Sequence, residues 1–407
     1  MQKTCFIITG LGYGDEGKGS IVDWLCVTNP VHTVIRTGGP QALHRVVTSD
    51  GREHVFSQFG SGSLRGIKTH LSREMLVAPS ALLREGKILQ HQCQHQVFGG
   101  LTIHEDALLV TPVQAITGRV RELLRGDNRR GSVGVGVGET VRDADALGDL
   151  ALRAKDLVAP DLEEKLYSLW QRKWLEYESY ADRASGLPEL AGTMIRAELA
   201  QINYDLHAKT LKAFTTLAKQ VSVVNDEYVA DKILGPEGTI VIEGSQGVLL
   251  DREYGFYPYT TKVRSVPNTA QALLEAGGYS GHVQSLGIVR SYATRHGHGP
   301  FVTEDTTLTE RLPDARNQND PWQGNFRIGH YDAALTAYAS TVCGQDAFDG
   351  LIVTCLDRTA QLDEWSVCTH YQAPSLGGGY GSIAALRTRL APDHLVSNLL
   401  SECRPIM

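Results

Sequence analysis

Between a short apolar run and a helix-like segment, the chain reads Gly12-Tyr13-Gly14-Asp15-Glu16-Gly17-Lys18-Gly19-Ser20. The spacing G-x-x-x-x-G-K suits a loop that holds phosphate. Glycines let backbone N–H groups close on phosphate oxygens, the following helix aims its positive end at them, and Lys18 adds a full charge. Two features depart from a plain phosphate loop. Gly19 stands where such loops carry Ser or Thr, and Asp15 and Glu16 place carboxylates where phosphate would be repelled. Those acids make sense if one of them binds Mg²⁺ or abstracts a proton. Further along, His44 has a side chain that titrates near neutrality and so suits proton transfer. The chain has 14 histidines, so residue type alone does not single it out.

These groups need elements to hold them. Cys5–Thr9 is a buried strand by its unbroken apolar run, Gly10–Gly19 a loop, and a helix begins at Ser20. Strand, glycine loop and helix in that order open a doubly wound α/β domain. Thr33–Arg36, Thr239–Ile242, Gln284–Val289 and Gly350–Thr354 supply further strands for a mainly parallel central sheet. The segment 150–218 is different: rich in Leu, Ala, Glu, Lys and Arg, with Leu162, Leu166, Leu169 and Trp170 at helical spacing. It predicts two or three amphipathic helices forming a helical subdomain on the α/β core. The last 25 residues also have helical character. No linker or repeat interrupts the chain, which reads as one domain over 1–407.

Composition narrows the function. With 407 residues and a net charge of -7, the chain lacks the basic excess of a general nucleic-acid binder. Its seven cysteines contain no C-x-x-C pair, which argues against a zinc ribbon or disulfide scaffold and for reduced thiols in the cytosol. The N-terminus leads straight into the glycine loop and does not read as a signal peptide. No run of about 18 apolar residues predicts a membrane helix.

The glycine loop closely resembles the G-D-E-G-K-G signature of adenylosuccinate synthetases, and other segments follow in that family's order. Arg36-Thr37-Gly38-Gly39-Pro40-Gln41-Ala42-Leu43-His44 resembles G-G-x-N-A-G-H-T; Glu243–Asp251 resembles E-G-A-Q-G-x-L-L-D; Tyr257-Pro258-Tyr259-Thr260-Thr261 resembles Y-P-Y-V-T. Ser291–Glu304 resembles Y-S-T-R-V-G-x-G-P-F-P-T-E, and Thr354-Cys355-Leu356-Asp357 resembles T-K-L-D. The resemblance runs from residue 4 to about 357. It implies an α/β fold of that family and a ligase that forms a C–N bond. The reaction would move the γ-phosphate of GTP (or ATP) to an oxo group such as O6 of IMP, and aspartate would then displace it.

The resemblance also implies roles. Asp15 would be the base at N1 and a Mg²⁺ ligand, the carbonyl of Leu43 a second metal ligand, and His44 the general acid. Gly14, Glu16, Gly17, Lys18, Gly19 and Ser20 would cradle the triphosphate, with Asp357 accepting hydrogen bonds from guanine. Gln41, Ser132, Val133, Gln246 and Thr261 would contact the nucleotide substrate, and Arg327 a carboxylate of the amine donor. The implied protein is a cytoplasmic homodimer working on a small nucleotide and an amino acid, with no nucleic-acid or membrane partner.

Several positions depart from the family pattern. Ser132-Val133-Gly134-Val135-Gly136-Val137-Gly138-Glu139 replaces T-T-G-R-G-I-G-P, leaving Arg129, Arg130 or Arg142 to supply the missing cation. The aspartate loop T-T-G-R-R-R-R-T-G-W-L-D becomes Pro321–Asp332, with Arg327 its single arginine. Short archaeal and phage members of the superfamily look similar there. Cys355 replaces the lysine of the nucleobase motif, and the C-terminal S-T-G-P-x-R segment is missing. These changes cluster at ligand recognition and leave open another oxo substrate or amine donor. A binder that kept the fold without catalysis, or an ordinary phosphate-loop NTPase, are the competing readings. Retention of Asp15, Lys18 and His44 together argues against the first, Gly19 against the second.

Overall fold

The computed structural model describes residues 2–371 except 94, 315–316 and 318–321. The helical character expected of the last 25 residues lies outside the described residues. Nine strands build the central sheet: β1 (Thr4–Gly10), β2 (Val31–Gly38), β5 (Lys68–Val77), β6 (Leu101–His104), β7 (Leu108–Leu109), β8 (Ser222–Val224), β9 (Thr239–Gly247), β10 (His282–Arg290) and β14 (Gly350–Thr354). Six more form small two-stranded ladders: β3 (His44–Val47) with β4 (Glu53–Phe56), β11 (Ala293–His296) with β12 (Phe326–Gly329), and β13 (Tyr331–Asp332) with β15 (Val367–Cys368).

The sheet runs β14-β10-β1-β9-β2-β5-β6-β8, with β7 also on β5, and its pairs are parallel. The apolar runs require this. A strand buried on both faces must be hydrophobic at successive positions rather than alternate ones. Phe6 and Ile8 face Val22 and Leu25 of helix α1 (Lys18–Thr28). Cys5 and Ile7 face the other layer, with Ile233, Leu234, Ala270 and Leu274. The expected mainly parallel α/β sheet is therefore present. β1, β2, β9, β10 and β14 all deliver their C-terminal ends to one edge, where open α/β sheets carry their ligand crevice.

Six further helices complete the framework used below: α2 (Pro79–Gln92), α3 (Pro112–Leu124), α4 (Val137–Leu147), α5 (Leu162–Ser185), α6 (Glu189–Leu199) and α7 (Tyr204–Ala218). The stretch 150–218 thus holds three helices, with Leu162, Leu166 and Leu169 of α5 buried as their spacing predicts. Among the described residues no helix is long and apolar enough to cross a membrane. The six described cysteines are free thiols; Cys403 lies outside the described residues.

A buried ion cluster ties α5 to the helices beneath the site. Lys173 of α5 is fully buried and contacts Asp143 at 2.6 Å, Glu176 at 3.2 Å and Glu139 at 3.7 Å. Asp143 also accepts from Gln114 of α3, and Glu139 pairs with Arg121 and Arg142. Arg142 is therefore held by Glu139, leaving Arg129 and Arg130 as the looser cations near 132–136. Removing one partner of a buried pair leaves uncompensated charge and costs about 3–5 kcal/mol. Lys173→Met should lower unfolding free energy by that order, measured as the shift of a denaturant midpoint. An unchanged midpoint would show that the cluster does not need this cation.

Candidate active site

The glycine loop starts where β1 ends. Gly17 adopts φ 86°, open to glycine at no steric cost, and caps α1, which begins at Lys18, two residues before the helix start read from sequence. Glu16 turns inward. Its Oε1 accepts from the N–H of Gly12 at 3.0 Å and Gly14 at 2.8 Å, and its Oε2 from Lys18 Nζ at 2.5 Å. A side chain at Gly10, Gly12 or Gly247 would meet that carboxylate, so the glycines here leave room for Glu16 as well as for a ligand. Lys18 is buried and its charge is answered from within the loop. Ser20 is exposed in the first turn, its N–H donating to Gly17 O.

Asp15 sits at φ 62°, a left-handed conformation that Asp tolerates better than most residues. Its carbonyl accepts from Arg290 at the end of β10, and the next carbonyl, of Glu16, accepts from Thr354 at the end of β14 at 2.7 Å. Asp15 Oδ2 lies 3.2 Å from His296 Nε2 at the end of β11. Burial opposes ionisation of Asp15. The hydrogen bonding and charge of His296, with Arg290 and Lys18, outweigh it and hold the carboxyl below its ordinary pKa. Among the described residues Oδ1 has no partner.

On the other side of the helix start stands His44. A Cβ on Gly19 would lie 2.9 Å from His44 Cβ, 3.1 Å from Ser61 Oγ and 3.3 Å from the Arg45 carbonyl. That is why Gly19 cannot be Ser or Thr: the space belongs to the histidine. His44 Nδ1 is 2.5 Å from Glu243 Oε1, whose carboxylate also receives the Ser61 N–H at 2.9 Å and the Ser61 hydroxyl, and lies 3.3 Å from Arg36. Nδ1 is also 3.2 Å from Arg36. One nitrogen cannot serve both, and the short contact to an anion makes it an N–H donor to Glu243. Burial, then Arg36, push His44 down to about 4 against the pull of Glu243. Burial alone would raise Glu243, but Arg36 and then His44 hold it at about 2. The ring is neutral at pH 7, with Nδ1 protonated and the Nε2 lone pair free of any protein partner among the described residues.

Gln41 Nε2 reaches Thr261 Oγ1 at 3.4 Å, and Gln246 sits at φ 49° beside Gly14. The amide oxygens of both glutamines are buried without a hydrogen-bond partner among the described residues. Leu43 turns its side chain out, 58% exposed, so it needs no interior room. Ser132 is exposed and accepts from Gly134 N, while Val133 is half-buried beside it; neighbouring Gly131 packs on Gly297, His298 and Gln323. Asp357 lies exposed on the turn after β14, behind Cys355 at φ 61°. Arg327 donates to Glu304 at 2.6 Å and to the Gly299 carbonyl at 2.9 Å. A ligand carboxylate would have to compete with Glu304. No group of three or more His, Cys, Asp or Glu among the described residues could hold a metal by side chains alone. Asp15 still fits a hard cation that takes its remaining ligands from carbonyls, phosphate and water: it is an ionised oxygen donor with one oxygen open.

Sequence reasoning missed Glu243, Arg36 and Ser61, which fix His44, and His296 and Arg290, which fix Asp15. A signal existed for Glu243. A carboxylate directly after the apolar Ile240-Val241-Ile242 run of a central strand must be paired. His296 stands where the matching motif has valine.

Such a crevice, with a glycine loop opening a helix between an ionised carboxylate and a carboxylate-bound histidine, is that of a phosphoryl-transferring α/β enzyme. A profile described as adenylosuccinate synthetase matches residues 7–388. Similar curated proteins include the adenylosuccinate synthetases of Anaplasma marginale, 30% identical over 95% of this chain and 86% of theirs, and Nitrosomonas eutropha, 32% identical over 90% and 80%. In fold, the chain is similar to the Plasmodium falciparum adenylosuccinate synthetase, with TM-score 0.66, 20% identity and coverage of 86% and 77%. It is also similar to a cyanophage S-2L succinoaminodeoxyadenylate synthetase, with TM-score 0.55, 20% identity and coverage of 87% and 85%. The chain belongs to the adenylosuccinate synthetase family. It is a ligase that forms a C–N bond at the expense of a nucleoside triphosphate.

Two outcomes follow from this geometry. Gly19→Ala should push His44 from its place, costing roughly 1–3 kcal/mol of stability by overpacking and lowering turnover by at least about ten-fold. Melting and steady-state kinetics on the same preparation check both. Second, acid should destabilise the centre. As pH falls from 6.5 towards about 4, the unfolded chain takes up a proton that native His44 refuses; from 4.5 towards about 2 the same holds for Glu243. Both contributions are present above those windows and lost as pH falls through them. His44→Gln should flatten the upper part of the melting temperature's acid slope.

Proposed function

We propose that the chain phosphorylates O6 of IMP, or of a closely similar purine nucleotide, and displaces that phosphate with the amine of aspartate, giving adenylosuccinate or an analogue. The observation that carries this reading is Asp15: an ionised carboxylate with one open oxygen, on the loop that opens α1, opposite His44. A protein that only binds a triphosphate has no use for such a base. Asp15 takes the N1 proton and makes O6 nucleophilic. His44 enters neutral, with Nε2 towards the reacting oxygens; triphosphate charge favours protonating Nε2, and Glu243 steadies the imidazolium that results.

The remaining contacts follow the same reading. The N–H groups at the start of α1, around Gly17, Lys18 and Gly19, receive the terminal phosphates. The unpartnered amide oxygens of Gln41 and Gln246, with Thr261, Ser132 and Val133, receive the nucleotide substrate. Arg327 receives a carboxylate of the amine donor in exchange for Glu304. Mg²⁺, when bound, would neutralise phosphate charge; the Leu43 carbonyl and Asp15 are the oxygens proposed to hold it, Asp15 through the second lone pair of Oδ2, which leaves Oδ1 for the N1 proton. Asp357 supports GTP, since its carboxylate can accept the N1–H and amino hydrogens of guanine. Cys355, in place of lysine, favours testing ATP beside it, and the cyanophage neighbour is bound to dATP as an energy donor. A homodimer in the cytoplasm completes the reading, supported by the family resemblance and the free thiols.

The test is product analysis with GTP or ATP, Mg²⁺, IMP and aspartate. The expected product is a succinylated purine nucleotide formed with equimolar phosphate. Triphosphate hydrolysis without that product would sink the reading. Asp15→Asn, which keeps the left-handed backbone, should lower turnover by about 10²–10⁴-fold while triphosphate still binds.

A further inference from the structure

We infer that His296 is a positioning residue for Asp15, and that it ties the base to the ladder carrying Arg327. The inference rests on the reading of Asp15 as the base. Two bonds fix the backbone around Asp15: Arg290 holds its carbonyl and Thr354 holds that of Glu16. Neither touches the carboxylate. Among the described residues the torsions of the Asp15 side chain are left to one neighbour, His296, whose Nε2 makes an ion-pair contact with Oδ2 at 3.2 Å. With Oδ2 engaged, Oδ1 is the oxygen presented to a ligand.

The histidine is itself held. Its residue closes β11, where His296 pairs with Phe326 of β12, and its ring packs on the Phe326 ring with centroids 4.7 Å apart. Gly297 N–H donates to the Asn325 carbonyl at 2.8 Å, which locks the turn behind it. Nδ1 is buried with no partner among the described residues, so Nε2 is the nitrogen the ring offers the protein. The next residue of β12 is Arg327, paired with Arg295 across the ladder. Arg295 lies over the ring of Tyr13, two residues before Asp15 in the glycine loop. The β11–β12 ladder therefore meets the glycine loop twice, through Arg295 on Tyr13 and through His296 on Asp15. A donor that settles the ladder also settles the carboxylate. A valine at 296, as in the matching motif, could pack on Phe326 but could not hold Asp15.

The expected effect is on rate. A carboxylate freed to turn spends most of its time out of line, and such misplacement typically costs on the order of 10–100-fold. His296→Val should lower kcat by about that factor, with the triphosphate KM within about threefold and the melting temperature unchanged. His296→Gln, whose carboxamide offers an N–H at similar reach, should recover most of kcat. Parental kcat in His296→Val overturns the inference. So does an equal loss in the Val and Gln variants, which would mean that ring packing on Phe326 matters rather than the contact with Oδ2. Asp15→Asn, run alongside, separates the two claims. If it is inactive while His296→Val is normal, only the positioning role falls; if it keeps parental turnover, the base reading fails and takes this one with it.

Discussion

The carboxylate of Glu243 is the charge on which the crevice depends. It is buried in the middle of the central strand β9, where an unpaired anion would be intolerably costly. Arg36 from β2, His44 from β3 and Ser61 from the turn after β4 all converge on it. Each partner is then constrained in turn. Arg36 also donates to the carbonyls of Ser57 and Phe59, and the N–H groups of that segment are taken by buried Glu85 of α2. His44 is fixed in one tautomer, and α1 can pass it only where residue 19 has no side chain. One anion thus dictates an arginine, a histidine tautomer and a glycine at widely separated places in the chain.

The glycine loop repeats this logic on a smaller scale and alters what its lysine can do. Glu16 fills the inner half of the cradle and is met by two N–H groups and Lys18. The pair is electrically neutral, so an arriving triphosphate meets less net positive charge from this loop than the residue types suggest. What remains are the N–H dipoles at the start of α1, effective at short range where water is excluded. Discrimination by such a loop is geometric: N–H groups reward an oxygen in the right place, while a bare cation attracts any anion nearby.

Much of the fold was legible because central parallel strands must be apolar at every position, and five of them announce themselves as runs. β5 did not. Lys68–Val77 carries Thr69, His70 and Ser72 at buried positions, so it shows neither a run nor a clean alternation, although it lies beside β2 in the sheet. At the site, residue types at fixed spacing pointed to Asp15 and Lys18, and the family resemblance pointed to His44. Direction could not be read from type or spacing. Nothing in G-D-E-G-K-G says that Glu16 and Lys18 face each other inward, because that depends on glycines at 10 and 247 vacating the same space. Arg327 shows the same limit: its partner, Glu304, comes from a different segment and meets it only once β11 and β12 pair.

The placement of β1 has a consequence for how the chain reaches this state. Thr4 pairs with Thr239 on one side and His282 on the other, so β1 leaves the ribosome well before either of the strands that flank it. At ordinary synthesis rates of about 5–20 residues per second, it waits for tens of seconds with both edges unsatisfied. Helices such as α1 and α2 can form locally in that time, but the strand cannot close the sheet and the Glu243 cluster cannot exist. An apolar strand with two open edges invites pairing with other chains. Assembly in the cell therefore favours something that shields β1 while its neighbours are made, and a chain halted before residue 239 would carry that strand uncovered.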